Sequence, residues 1–263
     1  MNKYQLPKGE RFEVPQDKKL VGNMLFPRQT GAFQTSVNMD FSKYTLVQDG
    51  DSVVAVSVSP RYFGNDGKDF YDSNTDALKD GLIVTPPRRF LRSWADVNSA
   101  LKEEGVRYNA YGNLIEPEQN AQNAQVMNTT WVYLNARFPR GAGFRGLDIV
   151  TITGIKDGKF VFTRMPLSPC LEEVCLANVE SMNEQGMLTQ KAKTNKYEPG
   201  KIINFYPPIL RKDKPEEGWV AGFIANSVGA GFYCYWNGSF RGASLGVFTS
   251  AEGASVAENG GKK

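Results

Sequence analysis

Along most of the chain, apolar residues alternate with small or polar ones in short runs, and turn-forming dipeptides stand between the runs. Val54, Val56 and Val58 show the pattern clearly. A period of two places alternate side chains on opposite faces of an extended strand. Asp49-Gly50 separates residues 44–48 from 51–59, Asp157-Gly158 separates 148–155 from 159–165, and Asn237-Gly238 separates 231–236 from 239–248. Asn or Asp followed by Gly supplies the positive φ angles of a tight hairpin turn, so three hairpins are expected. Further strand runs occupy 81–85, 131–138, 201–206 and 219–226. The pattern predicts a mainly β fold, an antiparallel sandwich or barrel built from hairpins, with about two short helices.

In the first predicted helix Ser93 is the cap, with Asp96 three residues on. Trp94, Val97 and Leu101 recur on one face, and Gly105 ends it. The second opens at Ser168-Pro169, carries Leu171, Val174, Cys175, Val179 and Met182 on one face, and ends at Gly186. Segments 64–75, 116–125, 189–200 and 212–218 read as irregular, being rich in Asn, Asp, Gly, Gln or charge. The expected organisation is an extended arm over 1–30, where Pro7, Pro15 and Pro27 limit regular structure, then a β-rich body over 31–250 and a flexible tail over 251–263. If the body divides, the polar segment 116–126 is where it does so.

Composition narrows the chemistry. The chain has 263 residues, 41% of them hydrophobic, enough for one large domain or two small ones. It has no histidine, which removes Ser-His-Asp and Cys-His nucleophile systems, histidine metal sites and imidazole acid–base catalysis together. Lysine and arginine total 31 against 28 acidic residues, a net charge of +3, too even for a field-driven nucleic-acid or membrane partner. Three cysteines, Cys170, Cys175 and Cys234, do not make a disulfide framework. The first ten residues lack an apolar signal core and no window is apolar enough to span a bilayer. The expected location is a virion or the host cytoplasm, with no secretion by a signal peptide and no membrane partner.

Candidate chemistry is sparse. Cys170-x4-Cys175 reads as packing, because metal binding would need further ligands that histidine does not supply. The glycine-rich stretch 139–146 lacks the Gly-Lys-Ser/Thr ending of a phosphate loop. The acidic pairs Glu103-Glu104, Glu172-Glu173 and Glu216-Glu217 read as solvated charge. No catalytic residue, cofactor site or metal site is expected. Two constellations remain. Arginines stand beside aromatics at Arg89-Phe90, Arg140 with Phe144-Arg145, and Phe240-Arg241, a composition that binds single-stranded nucleic acid by stacking and phosphate contact. The C-terminal third is aromatic. There Phe232, Cys234 and Trp236 are expected on one strand face and Tyr233 and Tyr235 on the other, and aromatic faces of this kind make protein–protein hot spots.

These features point to a non-enzymatic structural protein of a bacteriophage or virus particle. It would contact copies of itself or other structural subunits through Tyr233, Tyr235, Trp219 and Phe144. The alternatives are a β-barrel binding single-stranded nucleic acid through Arg89, Phe90, Arg140, Arg145 and Arg241, and a carbohydrate-binding or carbohydrate-cleaving β protein using the Trp219–Trp236 region.

Overall fold

The computed structural model describes residues 4–5, 18–21, 24–27, 43–49, 52–62, 67–101, 107–109, 114–208, 219–241 and 245–251. Its elements run β1 (Tyr4–Gln5), β2 (Lys18–Val21), β3 (Met24–Pro27), β4 (Tyr44–Asp49), β5 (Ser52–Ser57), β6 (Arg61–Tyr62), α1 (Phe70–Lys79), β7 (Ile83–Val84), α2 (Pro87–Ser99), β8 (Arg107–Tyr108), β9 (Leu114–Ile115), α3 (Pro117–Met127), β10 (Trp131–Phe138), β11 (Asp148–Lys156), β12 (Lys159–Pro166), β13 (Cys175–Asn178), β14 (Ile202–Tyr206), β15 (Trp219–Asn226), β16 (Gly229–Trp236), β17 (Leu245–Val247) and β18 (Thr249–Ala251). The mainly β expectation holds. A nine-stranded sheet has the order β12-β11-β10-β15-β16-β14-β13, with β17 and then β6 beside the start of β10. A four-stranded sheet has the order β4-β5-β18-β7, and β1, β3 and β2 form a small sheet within the predicted N-terminal arm. The packing is sandwich-like, and the large sheet is open among the described residues.

Alternation assigns side chains to two cores. On β10, Val132 and Leu134 enter one buried cluster and Tyr133 enters the other. The first cluster also holds Phe90 and Trp94 of α2, Met127 of α3, Phe205, Phe223, Phe232 and Cys234. The second joins Tyr133, Ile152 and Val220 to Phe70 and Ala77 of α1 and to Tyr44, Ala55 and Val84 of the four-stranded sheet. The polar segment near 116–126 is α3, opened by Pro117 at its first position, and it buries Ala124 and Met127 in the first cluster.

The two-residue turn signals resolve differently. Lys156 pairs with Lys159 across Asp157-Gly158, whose φ angles of 51° and 71° fit the mirror-image turn predicted for that dipeptide. β4 and β5 also pair as a hairpin, closing on Asp49 opposite Ser52; residue 50 of the predicted turn lies outside the described residues. Among the described residues Asn237-Gly238 makes no hairpin. The carbonyls of Asn237 and Phe240 accept the Tyr133 hydroxyl at 3.0 and 2.7 Å, and the Gly238 carbonyl accepts the Phe70 N–H. The chain then leaves to pair β17 with β10 in parallel. β16 instead makes its hairpin with β15 through residues 227–228, where the Asn226 side chain accepts from the N–H groups of Val228 and Gly229.

The helices also correct the sequence reading. α2 begins at Pro87, six residues before Ser93, because a proline at the first position and the apolar series Phe90, Leu91, Trp94 and Val97 extend the face upstream. α1 occupies part of the stretch read as irregular; Asp69 caps it by accepting from the N–H groups of Tyr71 and Asp72. The predicted helix over 168–186 is absent. Cys175–Asn178 pairs with β14 as a strand, and the Asn178 and Asn183 side chains bond nearby backbone N–H groups in turns. Gly186, expected to end a helix, has φ +82° and packs against the Arg88 backbone with no room for a Cβ.

Asn135 marks the place where the large sheet divides. The start of β10 pairs with β17, whereas only Arg137 near its end pairs with β11. Between them the fully buried Asn135 donates from Nδ2 to the Ile152 carbonyl at 2.7 Å and accepts the Ile152 N–H at 2.9 Å. The side chain thus stands in for a strand backbone. Asn135→Leu keeps the number and branching of side-chain heavy atoms and strands both Ile152 groups, so it should cost about 2–4 kcal/mol. Urea unfolding measures this, and a loss under about 1 kcal/mol would contradict the assignment.

Candidate interaction surface

Tyr233 and Tyr235 are brought together, as expected, and Tyr206 joins them from β14. The Tyr206 and Tyr233 rings stack at 4.1 Å and 10°, and Tyr235 stands edge-on to both at 6.1 and 6.2 Å. All three are half-buried. Burial pushes the Tyr233 phenol well above its ordinary pKa, and its hydrogen bond with Tyr206 acts in the same direction.

Trp236 was expected on the opposite face. The register of β15 with β16 runs from Gly222 opposite Tyr233 to Val220 opposite Trp236, which leaves one extra residue on β16. That bulge turns Trp236 onto the tyrosine face. Its indole lies 5.9 Å from the Tyr233 ring at 16° and meets Tyr133 edge-on, linking the surface rings to the second core. Glycines make room beneath the rings: a Cβ on Gly222 would run into the Trp236 indole, and one on Gly231 into the Tyr233 ring.

Trp219 and Phe144 lie elsewhere. Both are half-buried and pack against the first core, on the other side of the sheet from the tyrosines. The four residues predicted as one interface therefore lie on opposite sides of the sheet, Tyr233 and Tyr235 on one and Trp219 and Phe144 on the other.

The arginines do not converge. Arg89 on α2 bonds Asp49 of β4 at 2.7 Å. Arg145 makes a two-pronged pair with Glu172 at 2.9 and 2.7 Å, and Arg241 reaches Asp69 and Asp72 at the start of α1. Arg140 is exposed, and its carbonyl accepts from Arg164. Phe90 is fully buried against Phe223 and Phe248, so no base can stack on it.

The glycine-rich loop does gather an anion, but one supplied by the protein. Asp148 accepts from the N–H groups of Ala142 and Gly143 at 2.9 and 3.2 Å and from Arg164 Nε at 2.6 Å. Gly141 lies against this carboxylate with no space for a Cβ. The cysteines are free thiols, and burial pushes Cys170 up to about 12 and Cys234 well above its ordinary value. Among the described residues no cluster of three or more Cys, Asp or Glu is placed to hold a metal, and no helix is long and apolar enough to cross a membrane.

Sequence reasoning missed a second surface. Among the described residues β12 is the last strand of its sheet and is exposed on both faces: Phe162 is 44% exposed on one, Val161 and Met165 are 42% exposed on the other, and Ile155 of β11 is 43% exposed. Its sequence, Lys-Phe-Val-Phe-Thr-Arg-Met-Pro, is apolar at both parities. That pattern is ordinarily found in strands covered on both faces, so apolar residues in solvent on a sheet edge could have been suspected only once the strand order was known. No protein-family model, curated protein or solved structure matches the chain.

The Asp148 clasp has a pH signature. The Arg164 guanidinium first, and then the Gly143 and Ala142 N–H groups, hold this carboxyl below the usual range, against burial, which raises it. A depressed folded pKa stabilises fully above the unfolded value of about 3.9 and is lost as pH falls through the folded value. Urea midpoints taken from about pH 6 down to about pH 2 should drop in that acid range, with a weaker drop in Asp148→Asn. Equal pH slopes for the two proteins would contradict the clasp.

Proposed function

We propose that the chain is a non-enzymatic structural subunit that works by contact with copies of itself or with partner subunits. A bacteriophage or virus particle is the kind of assembly its sequence suggests. The observation that carries this reading is the half-exposed array of Tyr206, Tyr233 and Tyr235, backed by Trp236 and seated over Gly222 and Gly231. Rigid rings held by one another lose little side-chain entropy on contact and bury much apolar area, which favours them in protein interfaces.

Two observations favour assembly over the alternatives. Arg89, Arg145 and Arg241 each already hold a carboxylate on a different element, so a phosphate backbone would have to displace internal partners. The Tyr233 ring is stacked on by both Tyr206 and Trp236, whereas sugar stacking needs an open ring face.

The test is sedimentation of the wild-type chain and of the Tyr206→Ala, Tyr235→Ala double variant over a range of concentrations, with circular dichroism as the folding control. Concentration-dependent association that the double variant weakens by about tenfold or more is expected for a hot-spot pair. A wild-type chain that stays monomeric throughout would contradict the reading.

A further inference from the structure

We infer that β12 is a self-pairing edge, and that two copies of the chain join antiparallel through it into one continuous sheet. This rests on the assembly reading above and names one of its contacts.

The open edge can be read group by group. The Leu167 N–H donates to the Leu147 carbonyl, and the Val161 carbonyl accepts the Thr153 hydroxyl, so the odd-numbered residues of β12 turn their backbone groups toward β11. Alternation along an antiparallel strand then turns the N–H and C=O groups of Phe160, Phe162 and Arg164 outward. The row stops at Pro166, which has no N–H and whose carbonyl accepts from Gln185 Nε2 at 2.8 Å. At its other end the strand closes into the Asp157-Gly158 turn. Among the described residues no strand pairs with this edge. A long exposed edge with apolar side chains is a template for another strand.

The side chains indicate which strand. With Phe162 opposite Phe162 of a second copy, Phe160 falls opposite Arg164 and all the outward backbone groups of both strands are paired. Moving the register one step toward the C-terminus brings Phe160 opposite Pro166 and loses bonds; moving it the other way carries Arg164 opposite Gly158 in the turn. In the Phe162-centred register Val161 meets Thr163, Lys159 meets Met165, and Phe160 stands opposite Arg164, whose guanidinium is held by Asp148. All the charges on β12 are positive, yet none faces another. The edge is therefore complementary to itself about a two-fold axis at Phe162, as an isologous dimer requires.

Residue 162 facing its own copy makes the test specific. Phe162→Lys and Phe162→Glu should each place like charges across the axis and weaken association at least tenfold. An equal mixture of the two variants should restore it, because lysine then meets glutamate. Sedimentation reads all three samples, and the exposed position leaves the fold intact by circular dichroism. Association unchanged in both variants, or a mixture no stronger than either variant alone, overturns the pairing. If association ignores Phe162 but falls in the tyrosine double variant, the assembly reading stands without this contact; a monomeric wild-type chain removes both.

Discussion

Asn135 supplies to Ile152 the two hydrogen bonds that a neighbouring backbone would otherwise supply, and the layout of the large sheet follows from that substitution. Because the amide closes the gap inside the sheet, β10 can give its first three residues to β17 and Arg137 to β11. A buried N–H or C=O without a partner is expensive, so without such a side chain the fork would be an interior defect. With it, the β11–β12 hairpin runs out from the fork, and among the described residues β12 ends the sheet with its outer edge open. The division that organises the core therefore also creates the surface most suited to another strand.

The strands that carry both cores were legible because each combines alternation with a local signal that tertiary structure does not override. Residues 131–138 and 219–226 coincide with β10 and β15, and Asp157-Gly158 adopts the turn its residues favour. Failures came where long-range partners decide. The helical spacing of Leu171, Val174, Cys175, Val179 and Met182 gives way to pairing with β14 and to asparagine turns. The Asn237-Gly238 segment is held by Tyr133 and Phe70, residues far away in the chain. α1 was hidden by an Asn- and Asp-rich composition whose first useful signal was the capping Asp69.

The tyrosine pair was legible from alternation, but its setting was not. Trp236 joins it through a bulge, a one-residue irregularity visible only in the register, and Tyr206 arrives from a strand paired in parallel. Arg89, Arg145 and Arg241 illustrate the opposite error: sequence proximity to an aromatic suggested a binding groove, while each guanidinium had a carboxylate partner remote in the chain. The Asp148 clasp shows the same economy of charge, since the loop N–H groups that resemble an anion site are filled from within. Alongside the exposed charges, the tyrosine array, the apolar side chains of β12 and its open edge are the outward features among the described residues that suit a second copy.

Hydrogen exchange at single-amide resolution, compared between dilute and concentrated protein, tests that conclusion most directly. The amides of Val161, Thr163 and Met165, turned toward β11, should be protected at both concentrations. Those of Phe160, Phe162 and Arg164 should exchange freely in the dilute sample and slow on concentration. Fast exchange at these three positions in the concentrated sample, or slow exchange in both, would contradict the view that this chain completes its sheet by meeting a second copy.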